Sequence, residues 1–94
     1  MIEPEAEKDL RDAQDWYERQ RLGLGDDLLL CFEAVLEAVG ERPRSFPIVG
    51  RRARRALMRR FPFSVLFVEL ADVIAVIGVF HTSRDPRQWR RRLR

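Results

Sequence analysis

The chain has 94 residues, enough for one domain around one hydrophobic core and too few for two. Apolar residues make up 46% and charged residues 35%, a composition typical of globular proteins and unlike that of disordered chains. The longest apolar stretch, residues 73–80, is far shorter than the roughly 20 residues of a membrane-spanning helix. We therefore expect neither a membrane span nor a secretory signal.

Charge is distributed unevenly along the chain. Residues 1–41 carry twelve acids against four cations, a formal charge of −8, whereas residues 42–94 carry fourteen Arg against three acids, a formal charge of +11. A basic half of this size favours contact with nucleic acid, with an acidic protein or with the chain's own acidic half. Cys31 and His81 are the only residues of their types, so neither a disulfide nor a metal site is expected, and a reducing cytoplasm fits.

Two amphipathic helices are predicted in residues 1–41. In each, apolar residues recur at spacings of 4, 3 and 4, which is one face of an α-helix. These positions are Ala6, Leu10, Ala13 and Tyr17, then Leu28, Phe32, Val35 and Val39. Gly23 and Gly25 interrupt the pattern, and Asp26 or Asp27 is a candidate cap for the second helix. The short turn predicts an antiparallel helical hairpin, with Trp16 and Tyr17 as core aromatics.

After residue 50 the hydrophobic period changes to 2. Residues 54–60 alternate weakly, while residues 64–70 and 73–80 are apolar, β-branched and aromatic runs of strand length. The turn at Ala71-Asp72 predicts a β-hairpin within a sheet of three main strands. Phe46, in the preceding loop, is expected to fill the core. A turn at Asp85-Pro86 then leads into a basic tail that ends at Arg94.

When the two strands are paired residue by residue outward from the Ala71-Asp72 turn, Leu66 lies opposite Ile77. Both faces of the hairpin are then largely apolar, yet a helical hairpin covers only one face of a small sheet. The other face is expected to need a second copy or a partner segment. The residues predicted for this partner surface are Phe63, Val65, Phe67, Val76 and Phe80.

The prediction is an α+β fold in one domain, residues 1–94. An N-terminal antiparallel helical hairpin, residues 1–41, packs on a small antiparallel β-sheet, and residues 42–94 supply that sheet and the basic C-terminal tail.

Several short segments carry a resemblance that spans nearly the whole chain. They are Ala6-Glu7-Lys8-Asp9-Leu10 with Trp16-Tyr17-Glu18, Gly23-Leu24-Gly25, Pro43-Arg44-Ser45-Phe46-Pro47, Arg59-Arg60-Phe61-Pro62-Phe63 and residues 81–89 (HTSRDPRQW). In order and spacing they resemble the RelE/ParE superfamily of bacterial toxins from type II toxin–antitoxin modules, nearer the ParE-like members. The resemblance implies a helical hairpin on a curled antiparallel sheet. It also implies a ParD-like antitoxin, encoded beside the toxin, that blocks it in a hetero-oligomer. Relatives usually begin with a strand, for which Met1-Ile2-Glu3 leaves little room.

The superfamily implies two activities. ParE-like members are associated with binding and poisoning DNA gyrase, which inhibits growth and serves plasmid stabilisation, whereas RelE-like members cut mRNA on the ribosome. RNA cleavage needs an acid, a base and cations, for which His81, Arg84 and Arg60 are the candidates. RelE-like nucleases often have a C-terminal Tyr, and the nearest aromatic residue here is Trp89, which has no titratable proton. Gyrase inhibition is therefore favoured over a metal-independent endoribonuclease or a homologue that has lost activity.

Aromatic and Arg side chains often dominate binding energy, and several of them lie in the last eleven residues. These residues are the candidates for target binding. They are Arg84, Trp89, Arg90, Arg91 and Arg92. Structural roles remain open for two residues: His81 could hold a turn through a hydrogen bond, and Trp89 could anchor the C-terminal segment to the sheet. The Arg pairs could equally form a solvated basic face. No cofactor is expected.

Overall fold

The computed structural model describes residues 1–93, so Arg94, the end of the predicted basic tail, lies outside the described residues. The helices are α1 (Pro4–Gln20), α2 (Leu24–Glu41) and α3 (Pro86–Arg90), with a 3₁₀ turn at Pro43–Ser45. The strands are β1 (Ile48–Gly50), β2 (Ala53–Leu57), β3 (Phe63–Leu70) and β4 (Val73–His81). They form one antiparallel sheet in the order β1-β2-β3-β4, which confirms the α+β class. None of the helices in residues 1–93 is both long and apolar enough to cross a bilayer.

The turn between α1 and α2 depends on two glycines and one glutamate. Gly23 has a φ of 88°, in the left-handed region that glycine adopts without strain. A Cβ at Gly25 would lie 2.8 Å from a backbone oxygen of α1, so the two helices approach closely here. The Glu18 carboxylate accepts hydrogen bonds from the Gly23 and Gly25 N–H groups, both at 2.9 Å, and caps α2. Asp26 and Asp27, the predicted caps, lie instead in the first turn of α2.

The helical hairpin packs on one face of the sheet. The buried residues of this first cluster are Ala6, Leu10 and Ala13 from α1, Leu28, Phe32, Val35 and Val39 from α2, and Ala56, Met58, Phe61, Val65, Phe67, Val76 and Val79 from the sheet and its loops. The predicted apolar helix faces are confirmed, with Tyr17 half-buried at the edge. Phe46 packs edge-on against Phe67, with ring centroids 5.8 Å apart, and fills the core as predicted.

The second face of the sheet is also buried, and the chain itself covers it. Its buried residues are Ala53, Leu66, Val68, Ala75, Ile77 and Phe80, against which Val49, Trp89 and Leu93 pack. Trp89 and Leu93 belong to the C-terminal segment, residues 85–93, which folds back over the sheet. The prediction that this face needs a second copy or a partner is therefore wrong, because the chain's own end supplies the cover.

The β3–β4 hairpin keeps the predicted register for four residue pairs and then changes it. Leu66 pairs with Gly78 instead of Ile77, which becomes the extra residue of a β-bulge. The Phe80 ring lies so close to Gly78 that a Cβ at position 78 would overlap it. Phe80 therefore lies on the second face, and the predicted pairing of Leu66 with Ile77 is wrong.

The first three residues form a minimal strand on the outer edge of β4. Ile2 makes a parallel bridge with Val76. The Val76 N–H donates to the Met1 carbonyl at 2.8 Å, and the Glu3 N–H donates to the Val76 carbonyl at 3.0 Å. Residues 1–3 thus add one bridge to the outer edge of β4.

Candidate functional site

A cleft of about 700 Å³ opens between α1 and the end of β4. Aromatic rings from Trp16, Tyr17, Phe63 and His81 line it, together with the charged groups of Lys8, Asp9, Asp12 and Arg84. An imidazole, a guanidinium and exposed aromatic surface thus meet in one cleft. This cleft is the candidate site for contact with a target.

The aromatic wall of the cleft is a series of edge-to-face contacts. The Tyr17 ring lies 4.9 Å from Trp16, 5.0 Å from Phe61 and 6.1 Å from Phe63, and Phe63 lies 5.3 Å from His81. Trp16 is 50% exposed, so the prediction that it is a core aromatic is wrong. Its ring supports Tyr17 on one side and offers an apolar surface to a partner on the other.

His81 is held in a turn by Ser83. The Ser83 backbone N–H donates to the His81 Nδ1 at 3.1 Å, and the Ser83 Oγ lies 2.7 Å from the same nitrogen. The Arg84 N–H donates to the His81 carbonyl at 3.0 Å and completes the turn. Because Nδ1 accepts a hydrogen bond from the backbone, the neutral imidazole carries its proton on Nε2. This arrangement is the turn-holding role that the sequence left open.

Arg60, the third candidate for RNA cleavage, lies away from this cleft. Its guanidinium is 3.7 Å from the Asp27 carboxylate of α2 and lies over the Phe61 ring, 5.7 Å from its centroid. It lines a separate groove between α2 and β2. The structure therefore brings His81 and Arg84 together but not Arg60.

The candidate target-binding residues fall into two groups. Arg84, Arg90 and Arg91 are exposed to solvent. Trp89, by contrast, is half-buried against the second face of the sheet, and the Arg92 side chain is only 21% exposed. The first group is available to a partner, whereas Trp89 and Arg92 hold the C-terminal segment in place.

Arg92 and Asp9 close the outer edge of β4 as one ion pair. Arg92 binds the Asp9 carboxylate with both terminal nitrogens, at 2.8 and 3.1 Å, and this hydrogen bonding raises the pKa of Arg92. Arg92 also donates to the Ile77 carbonyl at 3.1 Å, while Asp9 accepts from the Val79 N–H at 3.0 Å. These side chains satisfy backbone groups that a neighbouring strand would otherwise pair. Sequence reasoning missed this contact because 83 residues separate its partners.

The Asp85 carboxylate caps α3. It accepts hydrogen bonds from the Arg87 N–H at 2.9 Å and from the Arg87 guanidinium at 2.7 Å. The hydrogen bonds from the Arg87 side chain, and to a lesser extent the one from its backbone N–H, hold the pKa of Asp85 below its ordinary value of 3.8. Asp85 thereby fixes the start of the C-terminal segment.

We expect α3 to lose this cap in acid. Because the pKa of Asp85 is lower in the folded state, its stabilising contribution is present above the unfolded pKa and is lost as pH falls through the folded value. An NMR titration of the Asp85 carboxyl carbon should have its midpoint below 3.8, with the Arg87 amide shift following it. Arg87→Ala should raise the midpoint, and equal midpoints in the two proteins would contradict the assignment.

The residues predicted to bind an antitoxin do not form a surface. Val65, Phe67 and Val76 are at most 2% exposed beneath the helices. Phe63 is half-buried in the wall of the cleft, and Phe80 is buried on the second face. Four of the five, all but Phe63, are therefore buried inside the chain.

A family model described as "ParE toxin of type II toxin-antitoxin system, parDE" matches residues 1–86. Among solved structures, the chain is similar to one titled "Chromosomal ParDE TA system from P. aeruginosa", with a TM-score of 0.65 and 18% identity. That match covers 87% of this chain and 92% of the other, and at this identity it shows a shared fold. No curated protein matches the chain.

Proposed function

Because the chain belongs to the ParE toxin family of type II toxin–antitoxin systems, we propose that it arrests growth by binding DNA gyrase and that a ParD-like antitoxin neutralises it. Gyrase and the antitoxin would both be met in the cytoplasm. One observation favours binding over catalysis. His81 and Arg84 line one cleft, whereas Arg60 lies in another groove. The three residues predicted for RNA cleavage are therefore not brought together around one phosphate.

The hydrogen bonds in the cleft also favour binding. A 2′-hydroxyl needs a group that accepts its proton, and the neutral His81 ring already accepts a hydrogen bond at Nδ1. The Asp9 carboxylate is bound to Arg92, and Asp12 is bound to Lys8 at 2.8 Å. The hydrogen bond from Lys8 lowers the pKa of Asp12, which makes this carboxylate a weaker proton acceptor. The hydrogen bonds of these three groups therefore favour binding over base catalysis.

The proposed gyrase-binding surface joins the cleft to the C-terminal segment. Arg84 contributes to the cleft and also to a smaller pocket bordered by Trp89. Arg90 and Arg91 are exposed beyond it, and Trp16 is exposed on the other side. Arg and Trp are among the residue types that most often dominate binding energy at protein interfaces.

Expression of the chain without its antitoxin should stop growth, with filamentation and DNA damage, while cellular mRNA stays uncleaved. In vitro, the purified chain should inhibit supercoiling by purified gyrase, and co-expression with the product of the neighbouring gene should restore growth. Ribosome-positioned mRNA cuts with normal supercoiling would overturn the gyrase proposal in favour of an endoribonuclease. Normal growth with folded protein in the cell would identify a homologue that has lost toxicity.

A further inference from the structure

A small pocket of about 90 Å³ lies on the second face of the sheet, between α3 and the strands β2, β3 and β4. It has room for roughly three water molecules, or for one small group such as a phosphate. None of the described residues that line it is acidic. Several lining side chains carry hydrogen-bond donors, namely Arg55, Ser64, Thr82, Arg84 and Trp89. A pocket that offers donors and no carboxylate fits an anion.

Ser64 is a polar residue buried in the apolar sheet. It is 8% exposed, and within residues 1–93 its hydroxyl has no hydrogen-bond partner. The hydroxyl nevertheless keeps some accessible surface, and Ser64 lines the pocket. Burial of an unpaired hydroxyl is unfavourable, so buried polar side chains are normally paired. An unpaired hydroxyl in the wall of this pocket therefore points to a ligand that accepts its hydrogen bond.

Two guanidinium groups border the same pocket. Arg55 comes from β2 and Arg84 from the turn after β4, so the two reach the pocket from different elements. Both are exposed, and within residues 1–93 neither side chain takes part in an ion pair. An unpaired guanidinium keeps its planar set of N–H groups free for a phosphate, which it can bind with two parallel hydrogen bonds.

His81 also borders the pocket, and its hydrogen bonding favours binding over cleavage. Its Nδ1 accepts from the Ser83 N–H, so the remaining nitrogen of the neutral ring is a donor. The polar side chains that line the pocket in the described chain can thus all donate to a phosphate. Cleavage of RNA would require one of them to accept a proton.

We propose that this pocket binds one phosphate of the backbone of duplex DNA. Arg55 and Arg84 supply the positive charge, and the hydroxyls of Ser64 and Thr82 donate hydrogen bonds to the phosphate oxygens. The contact is to the backbone and therefore independent of sequence. The proposal goes beyond the proposed function, because it concerns DNA alone and needs no gyrase.

The surroundings of the pocket favour a duplex over a free anion or a single strand. Arg90 and Arg91 are exposed on the same C-terminal segment, and a duplex, with one charge per about 1.7 Å of its axis, offers them further phosphates. Single strands usually stack their bases on exposed aromatic rings, whereas Trp89 packs against the sheet. With five residues, α3 is too short to read bases along a groove.

Two variants that keep the charge test the pocket directly. Ser64→Ala and Thr82→Val each remove one hydroxyl, and each should weaken the binding of a labelled DNA duplex of mixed sequence by about tenfold. Fluorescence anisotropy with the full chain, in the absence of gyrase, measures the dissociation constant. Because the net charge is unchanged, a loss of affinity would come from the pocket and not from the overall positive field. Urea unfolding should give wild-type stability for Ser64→Ala, since its hydroxyl is unpaired.

Arg55→Ala tests the charge of the pocket, and it leaves the cleft intact because Arg55 does not line the cleft. It should weaken duplex binding by about tenfold for every sequence, and it should reduce the slope of log K against log salt concentration by about 0.9. Arg42→Ala is the matched control, because Arg42 is exposed at the end of α2, on the helical side of the sheet. It should leave the slope unchanged. Equal effects of the two substitutions, with wild-type binding by Ser64→Ala and Thr82→Val, would overturn the pocket.

Two further probes decide the ligand. A single-stranded RNA of the same sequence should bind more weakly than the duplex by about tenfold, and tighter binding of the RNA would overturn the choice of DNA. Inorganic phosphate should shift the amide NMR signals of Ser64 and Thr82, and the duplex should displace it. Shifts with phosphate but no binding of the duplex would assign the pocket to a free anion. If neither probe binds, the phosphate site itself is wrong, while inhibition of supercoiling remains a separate test of the proposed function.

Discussion

Replacing Arg92 with alanine should lower the free energy of unfolding by about 2–4 kcal/mol and release the C-terminal segment from the sheet. The guanidinium binds Asp9 and the Ile77 carbonyl and lies 4.9 Å from the centroid of the Phe80 ring. Without it, the largely buried Asp9 carboxylate keeps the Val79 N–H as a partner but loses its counter-charge. Urea unfolding at neutral pH, followed by circular dichroism, measures the change.

Arg91→Ala is the control for this prediction, because Arg91 is the exposed neighbour and carries the same charge. It should change the free energy of unfolding by no more than about 0.5 kcal/mol. A double-mutant cycle with Asp9→Asn should give a coupling energy above about 1 kcal/mol between positions 9 and 92. Equal stability of the Arg92 and Arg91 variants would show that the ion pair does not hold the segment.

The helical hairpin could be predicted because its signals are local. The apolar residues Leu28, Phe32 and Val35 follow the helical period, and each is buried where that period places it. The turn at Gly23 could also be predicted from the sequence. The capping group of α2 could not, because Glu18 reaches the start of α2 from the preceding helix and any of several nearby carboxylates could have capped it.

The sheet could be predicted only in part, because its register depends on packing. The alternation of Leu66 and Phe67 correctly assigns them to opposite faces. The bulge at Ile77 depends on the Phe80 ring lying beside Gly78, a contact that periodicity alone does not specify. One inserted residue reverses the face of every later side chain in the strand. This is why Phe80 was placed on the wrong face.

The candidate site residues that the structure brings together are those that are neighbours in sequence. His81 and Arg84 share one turn, so their common cleft follows from their spacing. The groove at Leu30 and Leu57 could not be predicted, because the sequence does not show that these two leucines lie side by side. The packing of α2 against β2 brings them to one groove, and that packing is a tertiary property.

Arg84→Ala should relieve toxicity more than His81→Ala does. Arg84 is exposed at the cleft, where a contact residue of a protein interface typically contributes enough that its loss weakens binding by about 30-fold or more. His81 is engaged with Ser83, so its loss should weaken gyrase binding by no more than about threefold. Growth on induction and inhibition of purified gyrase are the two readouts. Arg52→Ala, an exposed arginine in the β1–β2 turn, is the matched control and should remain fully toxic.

Trp89→Ala should relieve toxicity as well, but by a different route. Because Trp89 packs against the second face of the sheet, its removal also loosens the C-terminal segment that presents Arg90 and Arg91. The variant should therefore lose stability together with toxicity, whereas Arg84→Ala should lose toxicity alone. If Trp89→Ala keeps its stability and Arg84→Ala loses it, Trp89 is the contact residue and Arg84 the structural one.

If His81→Ala slows ribosome-positioned mRNA cleavage by about 10²- to 10⁴-fold while still folding and binding the antitoxin, His81 is a general acid or base and the chain is a nuclease.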